Sequence, residues 1–230
     1  MNWQVPRMWE DGDVWIIGGG PSMTKQFDIP DQVVRDVLNG TSPASVYSPY
    51  MEGIHNKHII GINVAYLFGD WIDMVFFGDD GFFNQHKFEL ATFKGLRVSC
   101  VSNVASMSWV KYLPKDGKGR GISENPKTVC WNNNSGAAAI SVAANAGAKR
   151  IILIGFDMKL NEKNYQHWHN LYGKGDDVSV RRMQKLPFDR HMRGFAPIAQ
   201  DAKKRGIEII NCSPDSKIVE FRKVPVKDLL

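Results

Sequence analysis

Apolar residues in this chain gather in short unbroken runs rather than in alternation. The runs are DVWIIG (13–18), KHIIGIN (57–63), DMVFFGD (73–79), LRVSCVS (96–102), TVCW (128–131), RIILIGF (150–156) and IEIINCS (207–213). Strands that stay apolar on successive positions are covered on both faces, as in parallel sheets. Between the last three runs the spacing becomes helical. SGAAAISVAANAGA (135–148) opens on Ser135 as an N-cap and meets Gly147 before the next run. MRGFAPIAQDAKKRG (192–206) closes on a basic turn and Gly206, with Pro197 delaying its regular part. Strand, helix, strand, helix, strand is the order of right-handed parallel crossovers. The pattern therefore predicts an α/β fold, a Rossmann-like three-layer sandwich with a mostly parallel central sheet, as one domain over residues 1–230.

In open parallel sheets ligands bind beyond the carboxyl ends of the strands, where the strand order reverses. The residues that follow the runs are small or amide-bearing: Gly18, Gly19, Gly20, Pro21 and Ser22; Asn63; Gly78, Asp79, Asp80 and Gly81; Asn103; Asn132 to Gly136; and Asp157. Turns favour such residues at any one strand end. Their recurrence at every end points to a ligand. A helix that opens Asn134, Ser135, Gly136 and continues in alanines offers unpaired amides, a hydroxyl, a positive dipole end and no bulk, which suits a phosphate or carboxylate. GGGPS supplies a second bare bend. The chain has neither a G-x-G-x-x-G fingerprint nor a G-K-[ST] loop, so a resident dinucleotide and a kinase-type ATP loop are disfavoured.

Composition changes this picture little. With 230 residues, 43% hydrophobic and 23% charged, the chain is an ordinary globular one with length for a large core. Its longest apolar runs fall short of the roughly 20 residues of a membrane span, and MNWQVPRMWEDGD lacks the order of a signal peptide, so a cytoplasmic protein is expected. Cys100, Cys130 and Cys212 are odd in number and lie inside apolar runs, as reduced buried thiols do. A net charge of +5 admits a polyanionic partner, with Lys and Arg dense at 115–120, 181–185 and 203–205. His167 and His169 of HWH, and His191, are the proton carriers suited to neutral pH, with Asp157 placed to orient one of them. Trp168 either stacks on a planar ligand or packs.

GGGPSM, GINVAY, VFFGDDGF, NSGAAAISVAANAGAKRIILIGFDM and NCSPDS, in this order, resemble two related groups over nearly the whole chain. One is the bacterial sialyltransferases of the Campylobacter lipooligosaccharide type, with G-N-G-P-S-L, C-N-Q, S-G-V-Y-M and G-I-D-F. The other comprises 6-hydroxymethylpterin diphosphokinase-like and flagellin-associated proteins, with uncharacterised phage members. The resemblance implies a transferase using a nucleotide-activated donor, foremost a glycosyltransferase moving a sugar to an acceptor hydroxyl of phage DNA or a glycan. It also implies that Gly18, Gly19, Gly20, Pro21, Ser22 and Asn63 hold the nucleotide phosphates. Gly78, Asp79, Asn134, Ser135 and Gly136 would lie against the donor, Asp157 would close the pocket, and 157–195 would form a lid or acceptor-side insertion. By the same resemblance His191 is the general base, with His167 and His169 as rivals. Gly19 and Gly78 stand where the sialyltransferases carry donor-binding asparagines, which removes two amide contacts. The alternatives are an ATP-dependent pyrophosphokinase, in which Asp79 and Asp80 would hold magnesium, and a non-catalytic nucleotide-binding protein. No permanently bound cofactor and no other metal site are expected. A homo-oligomer is compatible with the chain, and a phage-encoded protein would work in the host cytoplasm.

Overall fold

The computed structural model describes residues 3–171 and 186–230. Eight strands form one sheet: β1 (Asp13–Ile17), β2 (His58–Ile62), β3 (Met74–Phe77), β4 (Leu96–Ser99), β5 (Lys111–Tyr112), β6 (Arg150–Ile154), β7 (Glu208–Asn211) and β8 (Arg222–Lys223). Their order is β5-β4-β3-β2-β1-β6-β7-β8, and every pairing is parallel. The chain builds outward from β1 in one direction, then returns and builds in the other, so the order reverses between β1 and β6. Six of the predicted runs are strands. TVCW is not: Val129 makes a single bridge to Lys115, and the run is apolar because Val129 and Cys130 are buried loop residues. The strand in that part of the sheet is β5, two residues long and too short to leave a periodic pattern.

Alternate strand residues feed two cores. Val14, Ile16, Ile60, Met74, Phe76, Ile151 and Leu153 point to one face. It is covered by α4 (Ser135–Asn145), of which every residue is buried, and by α6 (Phe195–Lys204) through Phe195, Ile198 and Ala202. Trp15, Ile17, Ile59, Val75, Phe77 and Ile152 point to the other face. There they meet Met23 of α1 (Ser22–Gln26), Val37 of α2 (Asp31–Leu38), Phe82, Phe83 and Leu90 of α3 (Asp80–Thr92), and the 3-10 stretches Ala44–Ile54 and Asn63–Phe68. Three layers result. Alanines at five of the eleven positions of α4 let the helix sit close on β1, β2 and β3, and each large aliphatic side chain buried in these cores contributes about 1.5–3 kcal/mol.

The cap of α4 is Asn134, not Ser135: the Asn134 Oδ1 accepts the amide of Ala137 at 3.2 Å. Pro197 occupies the first turn of α6, where its missing N–H costs nothing. Cys100, Cys130 and Cys212 are free and buried, and burial pushes their thiols up to about 12, 11 and 12. Among the described residues no helix is long and apolar enough to cross a membrane.

Candidate functional site

At the reversal the carboxyl ends of β1, β2 and β6 and the start of α4 enclose a cleft of about 150 Å³, open to solvent. Gly18, Gly19, Gly20, Asn63, Asp79, Asn134, Ser135, Gly136, Asp157, His167 and His191 all line it. Residues scattered over most of the chain thus meet in one place. Pro21 and Ser22 face a neighbouring groove instead. Gly78 and His169 stand behind the walls.

Gly18 of the first bend and Gly136 of the second face one ring, that of Phe156. A Cβ on Gly18 would lie 3.1 Å from the Phe156 ring, and one on Gly136 would lie 2.8 Å from the same ring. Gly20 is tighter still, 2.5 Å from both the Gly155 carbonyl and the Asp157 carboxylate. None of Gly18, Gly19 and Gly20 has a positive φ. A side chain at each would meet atoms of the protein itself, which corrects the explanation by a positive-φ turn. The NCSPDS motif holds this ring in place. Asn211 Nδ2 and Ser216 Oγ donate to the Phe156 carbonyl at 3.3 and 2.6 Å, and the Phe156 amide donates to Ser213 Oγ at 3.2 Å. Ser22 completes the clamp, its amide donating to Asp157 Oδ2 at 2.9 Å and its hydroxyl to Ser213 Oγ at 2.8 Å.

The second bend is built from asparagines. Asn132 and Asn133 have φ of 53° and 55°, the left-handed region that asparagine tolerates better than most residues. The buried Asn132 amide bonds to Gly121 through both its oxygen and its nitrogen, at 2.8 and 2.9 Å. Asn134 caps α4 and also reaches Met158 Sδ at 3.9 Å across the cleft. Ser135 Oγ donates to Asp79 Oδ2 at 3.2 Å, joining the start of α4 to the start of α3. Asn63 and Met158 are left-handed as well, with φ of 52° and 51°. Such conformations cost energy and gather at working sites, and four of the seven non-glycine examples among the described residues lie at this cleft or directly beside it.

Two histidines, His167 and His191, line the cleft. The Trp168 amide donates to the Gly19 carbonyl and the Trp168 indole to the Gly18 carbonyl, both at 3.0 Å, which lays His167 over Gly19. Trp168 itself is buried against Tyr47 and Phe68, so it packs rather than stacking on a ligand. His169 is buried behind His167, its ring stacked at 5.2 Å, with Nδ1 accepting the Leu171 amide at 3.1 Å. His191 lies on α5 (Phe188–Met192), and Gly194, two residues beyond its end, packs on Asn132: a Cβ there would sit 2.7 Å from the Asn132 Cβ. Burial, then the neighbouring Arg190, push the His191 imidazole down to about 4, so it is uncharged at neutral pH.

Gly78 has a structural reason too. A Cβ there would fall 2.1 Å from the Trp131 ring, which lines the cleft and carries Lys115 Nζ 4.5 Å from its centroid. Asp80 turns away, accepting Asn103 Nδ2 at 2.7 Å. Of the basic clusters, Lys118 pairs with Asp201, and Arg205 donates to the Ala144 carbonyl at 3.0 Å at the end of α4. The 181–185 cluster and the middle of the 157–195 segment lie outside the described residues. Sequence reasoning missed two cations that line the cleft among the described residues, Lys159 and Arg190. Both were findable, Lys159 two residues beyond Asp157 and Arg190 next to His191.

No family model matches the chain, and no curated protein does. Solved structures do. Sialyltransferase CstII from Campylobacter jejuni, in complex with the substrate analogue cytidine-5'-monophosphate, superposes with a TM-score of 0.53 at 12% identity over 94% of this chain and 86% of that one. CST-II in complex with a trisaccharide acceptor and CMP gives 0.51 at 14% identity, over 93% and 86%. The MAf glycosyltransferase from Magnetospirillum magneticum AMB-1 gives 0.56 at 12% identity, over 99% of this chain but only 35% of that chain. What the three share with this protein is the fold, a sialyltransferase-like and glycosyltransferase-like α/β sandwich.

Proposed function

We propose that the chain is a glycosyltransferase that takes a sugar from a nucleotide-activated donor. The observation that carries this reading is the meeting of two bends remote in sequence, Gly18–Gly20 and Asn133–Gly136, on one cleft at the sheet reversal. The likeness of fold to three glycosyltransferase structures supports it. The opening amides of Ser135 and Gly136, at the positive end of an 11-residue helix, and the cations of Lys159 and Arg190 receive the donor phosphate. In the transfer, the acceptor oxygen bonds to the anomeric carbon while the bond from that carbon to the phosphate oxygen breaks. The electron pair stays on the departing phosphate, and the acceptor proton passes to uncharged His191. Asp79 and Asp80 are taken up by Ser135 and Asn103, which favours this reading over magnesium-dependent pyrophosphoryl transfer.

A thermal-shift series over CMP, UDP, GDP, ADP and their sugars tests it. One nucleotide should raise the Tm, by an amount equivalent to about 2.7 kcal/mol at a hundredfold excess over Kd. The matching sugar nucleotide should then release free nucleotide in excess EDTA. H191A should keep the shift and lose the release. A chain that no nucleotide stabilises, or a release that EDTA abolishes, refutes the proposal.

A further inference from the structure

The cleft is the smaller of two joined spaces. Between α1 and α2 on one side and residues 157–168 on the other lies a groove of about 660 Å³, against about 150 Å³ for the cleft. Pockets that enclose a small molecule hold roughly 300–1,000 Å³. The cleft alone is therefore too small for a whole sugar nucleotide, and the groove has room for the remainder. Asp157, Lys159 and His167 line both, so the spaces meet at these three residues.

We infer that the donor is a nucleoside diphosphate sugar that spans both spaces, with the phosphate nearest the sugar at the start of α4, the second phosphate at Lys159 and the nucleoside in the groove. The inference rests on the glycosyl-transfer reading of the cleft and narrows it to one class of donor. That class is not taken from the CstII and CST-II structures, which were in complex with CMP, a monophosphate.

The cations carry the argument. Lys159 and Arg190 have no ion-pair partner among the described residues, whereas Lys118, Arg150 and Lys163 do. They also stand apart in the fold: Arg190 lies on α5 and lines the cleft only, and Lys159 lies at the junction. One phosphate on the opening amides of Ser135 and Gly136 is served by Arg190, and a second is needed to pair Lys159. In the transfer the bond between the anomeric carbon and the oxygen of the nearer phosphate breaks, and its electron pair stays on that oxygen. The acceptor oxygen bonds to the carbon, and its proton passes to His191. The departing nucleoside diphosphate then carries one more negative charge than it did within the donor, and a cation at each phosphate stabilises it.

The junction and the groove suit the rest of such a donor. Asp157 is 4% exposed, and its Oδ1 has no hydrogen-bond partner among the described residues. The ribose that follows the second phosphate supplies the hydroxyl donors that this carboxylate lacks. Beyond the junction Lys25, Arg35 and Lys163 are matched in number by Asp31, Glu162 and Asp215, so that part of the lining has no net formal charge and accepts an uncharged base. Val34, Leu160 and Tyr165 give the base apolar and aromatic surface to pack on. Across the mouth of the groove Lys163 and Asp31 pair at 3.5 Å with both side chains exposed, a contact worth little and readily displaced by a ligand.

Titration calorimetry of the full chain in EDTA tests this by comparing CMP with CDP, UMP with UDP, GMP with GDP and AMP with ADP. For the base that binds, the diphosphate should bind about tenfold or more tightly than the monophosphate. Lys159→Ala should bring the two within about threefold of each other, chiefly by weakening the diphosphate. Val34→Trp and Leu160→Trp, which fill the groove from opposite walls, should each weaken both nucleotides by about tenfold. A cooperative thermal transition without nucleotide shows that each variant is folded, and the wild-type comparison stands whether or not a variant folds. Equal affinity of wild type for the two phosphates overturns the inference and leaves the transfer reading intact, as does a folded Lys159→Ala chain that keeps the full preference. Nucleotide binding that neither folded groove variant disturbs overturns it too. A wild type that binds none of the eight nucleotides refutes the transfer reading itself, and the inference with it.

Discussion

The two bends that meet at the cleft look alike on paper and are built for different reasons. Gly18–Gly20 is bare because Phe156, Gly155, Asp157 and His167 occupy the places where its side chains would be. The Asn132–Gly136 bend keeps its side chains and uses them: Asn132 ties to Gly121, Asn134 caps α4, and Asn132 and Asn133 hold the left-handed backbone that turns the chain into the helix. Only Gly136 is bare for packing, against the same Phe156 ring. Absence of side chains therefore marks where the backbone comes close to something. In this protein that something is first of all the end of β6.

Substitutions can break this comparison, and Gly20→Ala should act most strongly. Its Cβ would meet a backbone carbonyl and a buried carboxylate, neither able to give way, and denaturant unfolding should show a loss of about 3 kcal/mol. Gly136→Ala should cost less, about 1–2 kcal/mol, because alanine recovers up to about 1 kcal/mol of helix propensity while it crowds Phe156. Combining each change with Phe156→Leu sharpens the contrast. The pair with Gly136→Ala should be markedly non-additive, since both residues share one contact. The pair with Gly20→Ala should recover little, because its clash is with Gly155 and Asp157. Asn134→Ala should cost about 1 kcal/mol through the lost cap, and Asn134→Asp should retain most of it.

His191, which lines the same cleft, allows a pH version of the test. His191 titrates near 4 in the folded chain and near the ordinary value of 6.5 when unfolded. Between these values the unfolded chain binds more protons, so the contribution of His191 to stability is complete above 6.5 and is lost as pH falls toward 4. His191→Gln should leave the Tm at pH 7 nearly unchanged and flatten its fall on the acid side. A Tm profile of the same slope in variant and wild type would remove the burial of His191 as its cause. The smallest effect belongs to the groove mouth: Lys163→Ala should stay within about 0.5 kcal/mol of wild type, as exposed pairs do.

How much of this was readable beforehand differs between the fold and the site. The runs at β1, β2, β3, β4, β6 and β7 are apolar on consecutive positions because helices cover both faces of the sheet, and that property is carried by each run alone. The edge strands β5 and β8, of two residues each, have no such signature. The apolar TVCW run misleads because Val129 and Cys130 owe their burial to loop packing. Helix α3 was overlooked, although Phe82, Phe83, His86 and Leu90 mark its buried side at helical spacing.

At the site, the strand-end rule pointed to the edge of the sheet where the cleft lies, whereas Lys159 stands two residues beyond Asp157 and Arg190 sits on a helix, positions that the rule does not reach. The sequence by itself determined the layer architecture and the address of the cleft, since hydrophobic periodicity and turn chemistry are local properties. Tertiary structure alone decided why Gly18, Gly20 and Gly136 are bare, that NCSPDS serves to pin Phe156, and that a second groove opens at Asp157, Lys159 and His167. Those are facts about which atoms from distant segments share a space, and close packing between β-strand ends leaves no periodic trace in the chain that produces it.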